Sequence, residues 1–343
     1  MKKIVAQKNL SDCHSNPPLF KEPCVFTHGY DFDPTCGMNL AQLLDIVPPE
    51  PPADFTTFWE RRYAAALTVS PHSCIQASGC MLKGHVVHDL RYLSTGGVEI
   101  SGWLLIPEDG KVSRGLIIGH GYNGREAPDE PLAVDEAALL FPCFRGLGRS
   151  PLANVSPEPY QHVLHDIQNR ERYILGGCVE DLWLAVAALL ELFPEVAGRI
   201  GYSGISFGGG IGALAAPWDS RIQRLHLQIP TFGHHALRLT LPCVGSGESV
   251  RIFQRQHDFN IMETLAYYDA ASAARYLRIP TLVAAARFDP AVPPSGQFAI
   301  YNAIPEKLRH LFVLDAGHFD YPCQEQQMQE MNRELACFFM EQL

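Results

Sequence analysis

Gly201-Tyr-Ser-Gly-Ile-Ser-Phe-Gly-Gly-Gly210 is the stretch whose reading decides the fold of this 343-residue chain. Inside it lies Gly204-Ile205-Ser206-Phe207-Gly208, a G-x-S-x-G pentapeptide. A segment with a strand-like start, Gly198-Arg-Ile-Gly-Tyr-Ser203, leads in, and a small-residue helical run, Ile211-Gly-Ala-Leu-Ala-Ala216, leads out. Strand before and helix after predict a sharp turn that lifts Ser206 clear of its neighbours, a nucleophile elbow. Flanking glycines tolerate the strained backbone of such a turn. The first turn of the helix gathers unpaired N–H groups and a partial positive charge, which favours an oxyanion beside the serine. Without that context the pentapeptide reads as a glycine-rich turn with an incidental serine.

A nucleophilic serine needs a base, and the base needs an orienting acid. Ile279-Pro-Thr-Leu-Val-Ala-Ala-Ala286 is an apolar run of strand length that ends in Arg287-Phe-Asp289-Pro290. Arg309-His-Leu-Phe-Val-Leu314 is another, ending in Asp315-Ala-Gly-His318, and residues 294–304 between them predict one helix. The order Ser206, Asp289, His318, with acid and histidine each just past a strand, is that of the α/β-hydrolase fold. The carboxyl ends of parallel strands share one edge of a sheet, so residues far apart in sequence can converge there. Asp315 and Asp320 are rival acids, ranked lower because such near neighbours in a loop rarely line up with the Nδ1 of His318. Gly115-Leu-Ile-Ile-Gly-His-Gly-Tyr122 reads as a buried strand running into the oxyanion loop. The backbone amides of Tyr122 and Phe207 are the expected oxyanion donors. His120, at a strand end among apolar residues, is read as a satisfied structural histidine rather than as the base.

Leading antiparallel strands are expected at 84–93 and 97–106, then strands near 115–120, 138–144, 199–203, 222–229, 279–285 and 309–314. Helices are expected at 55–67, 175–193, 207–216, 294–304 and 323–341. Such alternation predicts a doubly wound, mainly parallel sheet. We read 1–343 as a single domain, with an N-terminal extension and helix (1–80) packed on a catalytic core (81–343). Pro48-Pro-Glu-Pro-Pro52 is a stiff spacer. Asp54 is the expected N-cap of a helix whose Phe55, Phe58, Trp59 and Tyr63 form an apolar face. Residues 231–268 are too many for a simple connection, so they are read as a cap-like insertion, partly helical, overhanging the site. Phe232, His234, His235, Phe253 and Tyr267 are candidates to line it, with packing as the favoured role for any single one. Tyr92, Trp103 and Trp218 are expected in the core, and Arg145 as a buried polar anchor.

With 27 basic against 37 acidic residues, a formal charge of −10 and no basic cluster longer than a pair, nucleic acid and anionic membranes are poor partners. No apolar run approaches the ~18 residues of a spanning helix. After Met1-Lys-Lys-Ile-Val-Ala6 come Gln7, Lys8 and Asn9, too soon for the apolar region of a signal peptide, so a cytoplasmic location is expected. The ten cysteines include no C-x-x-C and read as free thiols. Cys24, His28 and Cys36 are spaced too irregularly to predict zinc. A serine mechanism requires neither a metal nor an organic cofactor, and the expected partner is a small-molecule ester.

Longer stretches carry a family resemblance. They are Asp54-Phe-Thr-Thr-Phe-Trp59, His88-Asp-Leu-Arg-Tyr92 with Ile100-Ser-Gly-Trp-Leu-Leu-Ile-Pro107, His120-Gly-Tyr122, and Arg145-Gly-Leu-Gly-Arg-Ser150. The elbow follows, then Phe288-Asp-Pro-Ala-Val-Pro-Pro-Ser295, Tyr301-Asn-Ala-Ile304 and Gly317-His318. In this order, over roughly residues 50–340, the chain resembles the acetyl xylan esterase and cephalosporin C deacetylase family of serine carbohydrate esterases. The resemblance implies Ser206 as nucleophile, His318 as base, Asp289 as orienter, and the Tyr122 and Phe207 amides as oxyanion donors. It also implies deacetylation of small molecules or short acetylated xylo-oligosaccharides, and a homo-oligomer with the N-terminal segment available for subunit contacts. Two positions depart from the pattern, where Phe207 and Leu147 replace glutamines. A backbone donor survives such a change, while the pocket wall is expected to become more apolar. A peptidase or another acyl hydrolase of the same fold is the alternative, followed by a hydrolase-like binding protein without catalysis.

Overall fold

The computed structural model describes residues 26–341 and 343. Its strands are β1 (Cys74–Leu82), β2 (His85–Leu93), β3 (Glu99–Pro107), β4 (Arg114–Gly119), β5 (Ala137–Pro142), β6 (Ile200–Ile205), β7 (Ile222–Gln228), β8 (Thr281–Ala286) and β9 (Arg309–Leu314). They form one sheet in the order β1-β2-β3-β5-β4-β6-β7-β8-β9. The pairs β1–β2, β2–β3 and β3–β5 are antiparallel. All pairs from β5–β4 to β8–β9 are parallel. Strands β5 and β8 are buried along their whole lengths, as expected of unbroken apolar runs covered by helices on both faces. This is the mainly parallel α/β-hydrolase sheet that the alternation predicts.

The helices are α1 (Leu40–Leu44), α2 (Phe55–Ala66), α3 (Pro159–His162), α4 (Ile174–Leu192), α5 (Phe207–Ala215), α6 (His235–Arg238), α7 (Ser246–Gln256), α8 (Met262–Leu265), α9 (Ala270–Ala274), α10 (Pro294–Ala303) and α11 (Gln324–Met340). Helix α4 is apolar nearly all round and sits in the core. Phe55, Phe58 and Trp59 of α2 are buried, and Trp59 meets Trp183 of α4 edge-on at 6.1 Å. Each buried indole finds an acceptor: Trp183 donates to the Ala215 carbonyl and Trp59 to that of Tyr267. Tyr92 and Trp103 lie in the core, whereas Trp218 is partly buried against it.

Three expectations are corrected. Asp54 makes no capping hydrogen bond to α2; its carboxylate accepts from the Tyr267 hydroxyl and pairs with Arg170 at 3.5 Å. Asp54 does stand at the N-cap position of α2, but its side chain ties the start of the helix to the 231–268 segment rather than capping it. The leading sheet also has one strand more than expected, because β1 precedes 84–93. Most of β1 is exposed and its register shifts between Ala77 and Met81. An edge strand with a bulge has no alternating apolar face to announce it. Finally, Phe207 and Leu147 are 0% and 1% exposed, so neither replacement coats an open pocket wall. The segment 231–268 is indeed partly helical, through α6, α7 and α8. Phe232, His235 and Tyr267 within it are buried, and Phe253 stacks on His257.

Candidate active site

Strand β6 delivers Ser206 into a backbone conformation with φ 53° and ψ −109°. A non-glycine residue there costs on the order of 1–3 kcal/mol, so its surroundings must over-determine it. They do. The Ser206 amide donates to the Gln228 carbonyl at 2.8 Å, and its carbonyl accepts from Gly210 at 2.9 Å and Thr231 at 3.1 Å. The two motif glycines answer to close approach rather than to positive φ. A Cβ on Gly204 would stand 2.5 Å from the Gly208 backbone, and one on Gly208 would stand 2.8 Å from the backbone of Gly119 and His120. The Gly208 amide also donates to the His120 carbonyl at 2.9 Å, which fastens the β4 loop to the elbow.

Asp289 and His318 follow β8 and β9 and converge on Ser206 along the same sheet edge. His318 Nδ1 lies 2.8 Å from Asp289 Oδ2, and its Nε2 lies 2.9 Å from Ser206 Oγ. The imidazole is 28% exposed while the Asp289 carboxylate is sealed off. Asp289 Oδ1 accepts the amides of Ala291 and Val292, both at 2.9 Å, and Oδ2 accepts Gln297 Nε2 at 3.0 Å as well as the histidine. Burial by itself would lower the His318 pKa, but the charge and hydrogen bond of Asp289 outweigh it and raise the value above 6.5. The rival acids are elsewhere: Asp315 pairs with Arg287 at 2.7 Å, and Asp320 is exposed.

The β4 loop places Tyr122 against the elbow, its ring 4.3 Å from that of Phe207. Among the described residues neither the Tyr122 nor the Phe207 amide has a backbone acceptor. The Tyr122 hydroxyl donates to His162 Nδ1 at 3.0 Å, and His162 Nε2 donates to the Arg145 carbonyl at 3.0 Å. Arg145 is the buried anchor expected of it, held by Asp181 at 2.7 Å and by Ser94 and Thr95. Burial lowers the His162 pKa to about 4, so the ring stays neutral and keeps this tautomer. His120 is likewise neutral, lowered to about 3 by burial. Its Nε2 accepts the Phe144 amide and its Nδ1 faces the Gly121 carbonyl, which fits a structural histidine.

Sequence reading missed two supporting residues. Gln297, fully buried on α10, holds Asp289 while donating to the Val292 carbonyl and accepting the Ala286 amide. A lone amide in the apolar run Gln297-Phe-Ala-Ile300 is the signal that could have revealed it. His162 has no such signal, since its partners come from distant segments. Of the zinc reading, Cys24 lies outside the described residues. His28 packs on Phe288, and the Cys36 thiol is pushed up to about 11 by burial. No helix among the described residues is long and apolar enough to cross a membrane.

The family model for acetyl xylan esterase matches residues 35–335. An acetyl xylan esterase from a Paenibacillus species superposes with a TM-score of 0.77 at 25% identity, covering 86% of this chain and 99% of that one. Acetyl xylan esterase 1 from a Thermoanaerobacterium species gives 0.72 at 20% identity, covering 87% and 99%. The acylaminoacyl peptidase of Pyrococcus horikoshii shares the fold over 76% of this chain and 42% of its own, with a TM-score of 0.58 at 16% identity. With the family match spanning most of its length, the chain belongs to the acetyl xylan esterase family and is an ester hydrolase of the α/β-hydrolase fold.

Proposed function

We propose that the protein is a serine deacetylase, acting on small acetylated molecules or short acetylated xylo-oligosaccharides through Ser206, His318 and Asp289. The observation that carries this reading is the unbroken line Asp289 Oδ2, His318 Nδ1, His318 Nε2, Ser206 Oγ, with both links shorter than 3 Å. Asp289 fixes the tautomer in which Nδ1 carries the proton and Nε2 is free to accept one. As Ser206 Oγ bonds to the ester carbonyl carbon, its proton passes to Nε2 and the carbonyl π pair moves onto oxygen. The Tyr122 and Phe207 amides donate to that oxyanion, each worth about 3–4 kcal/mol by the usual cost of losing one such donor. When the oxyanion collapses, the bond to the alcohol oxygen breaks and His318 gives the alcohol its proton. Water, deprotonated by the same nitrogen, then adds to the acetyl-serine. A second collapse releases acetate and restores Ser206.

The buried Phe207 and Leu147 leave this machinery intact, because the donor at position 207 is a backbone group. The ring is buried at the start of α5, packed by Tyr122, Phe144 and Phe232. With p-nitrophenyl acetate, butyrate and octanoate as substrates, kcat/KM is expected to fall at each step and by about 100-fold overall, since each misfit group in a pocket is worth ~1–3 kcal/mol. A flat or rising series would reject the deacetylase reading in favour of a broader acyl hydrolase.

A further inference from the structure

Gln297 is fully buried on a stretch of α10, Pro294 to Ile300, that is otherwise made of small and apolar residues. A side-chain amide taken out of water costs free energy unless its hydrogen bonds are replaced. Here each of them is. Oε1 accepts the Ala286 amide at 2.8 Å, and the two Nε2 hydrogens go to the Val292 carbonyl at 2.8 Å and to Asp289 Oδ2 at 3.0 Å. The Ala286 N–H can only donate, so the atom facing it is the oxygen, and the amide has one orientation that satisfies every partner. In that orientation Nε2 points at the carboxylate.

Oδ2 is the same oxygen that takes His318 Nδ1, at 2.8 Å. Its surroundings leave room for little else: a Cβ on Gly317 would stand 2.5 Å from it. The Ala291 and Val292 amides hold Oδ1, and Gln297 holds the oxygen that orients the base. The positive end of the Nε2–H dipole also opposes the charge that Oδ2 presents to the imidazole. The other titratable and charged groups around the pair are engaged differently. The thiols of Cys36 and Cys243 are neutral, their pKa values raised chiefly by burial, and the Arg238 charge acts on Cys243. Asp33 turns to Thr35 and Gly37, Arg287 pairs with Asp315, and His28 packs on Phe288.

We propose that Gln297 is a positioning residue for the base: by donating to Asp289 Oδ2 it fixes where that oxygen points and draws off part of its charge, and so sets how strongly His318 holds its proton. The inference rests on the triad reading and adds to it a control on the base. Gln297→Met keeps the length of the side chain and removes the donor. Oδ2 then gives its full charge to the ring, so the His318 midpoint should rise by about one pH unit, the scale of one hydrogen bond to a charged group. That midpoint is read by NMR titration of the nitrogen-labelled imidazole in the intact protein, and again as the acid limb of kcat/KM on phenyl acetate. Above the limb kcat should fall about tenfold with KM unchanged, because Gln297 is sealed off and touches no substrate. An unchanged His318 midpoint in a folded Gln297→Met protein would overturn the proposal even if rate or stability dropped, since the residue would then serve packing alone. Should the variant not fold, the wild-type protein decides. Its Gln297 Nε2 resonance should shift with pH at the His318 midpoint, and a resonance that stays flat through that titration would overturn the proposal. Failure of the esterase reading is a separate result: phenyl acetate hydrolysis would survive Ser206→Ala, while the NMR midpoints would still report on Gln297.

Discussion

Ser206→Ala is expected to lower kcat on p-nitrophenyl acetate by about 10⁵–10⁶-fold, the scale on which serine nucleophiles fail when truncated. The reason is local. Ser206 Oγ is the atom placed 2.9 Å from His318 Nε2, ready to hand that nitrogen its proton. The substitution leaves the fold nearly untouched, because the strained backbone is held by the Gln228, Gly210 and Thr231 hydrogen bonds, none of which uses the side chain. The melting temperature should therefore stay within a few degrees of wild type, since removing the hydroxyl deletes a single hydrogen bond worth about 1 kcal/mol. A rate loss of only a few-fold in a folded protein would mean that the ester is attacked by something other than Ser206.

Asp289→Asn should cost about 10⁴-fold in kcat, by the measured precedent of triads with the wrong tautomer. The hydrogen bonds around Asp289 say why. Oδ1 accepts two backbone amides, from Ala291 and Val292, so the asparagine oxygen would occupy that side. Its amide nitrogen would then face His318 Nδ1 and require that nitrogen to accept. The ring proton would move to Nε2, where the nucleophile's proton has to go.

The same pair sets the pH dependence. Because Asp289 raises the His318 pKa, the wild-type kcat/KM should climb with pH through an inflection above 6.5, as the imidazolium gives up its proton. In Asp289→Asn the raising charge is gone and burial pulls the pKa down, so the residual activity should show its acid limb at lower pH. Stability carries the opposite sign. The folded-state pKa lies above the unfolded value, so the ion pair stabilises fully below about pH 6.5 and this contribution is lost as pH rises through the folded pKa. A pH–rate profile for both proteins, alongside denaturant titrations at pH 5.5 and 8.5, checks both signs.

Strand β8 could be read from the sequence because burial on both faces leaves a continuous apolar run, Thr281–Ala286, whereas β9, half-buried at the sheet edge, was readable from the apolar residues of Arg309–Leu314. The residues proposed for catalysis were readable for a related reason. A parallel sheet puts them just past strand ends, so order and offset suffice to bring Ser206, Asp289 and His318 within hydrogen-bond reach. What escaped the reading has no local signature. Strand β1 lies at the sheet edge, exposed and bulged. Helices α3, α6 and α8 are four residues long, too short to show a period of 3.6. Asp54 sits where an N-cap belongs, yet a tyrosine 213 residues away takes its carboxylate. Gln297 and His162 act through tertiary partners.

The most direct test of the central claim is covalent. Diethyl p-nitrophenyl phosphate reacts with a serine oxygen only where a base activates it and donors stabilise the developing charge. The protein should be treated with this reagent, weighed intact, and mapped by peptide mass spectrometry. We predict one diethylphosphoryl group per chain, located on Ser206, with esterase activity lost in proportion and no labelling in His318→Ala. Full esterase activity in an unlabelled protein, or labelling confined to another residue, would contradict the account.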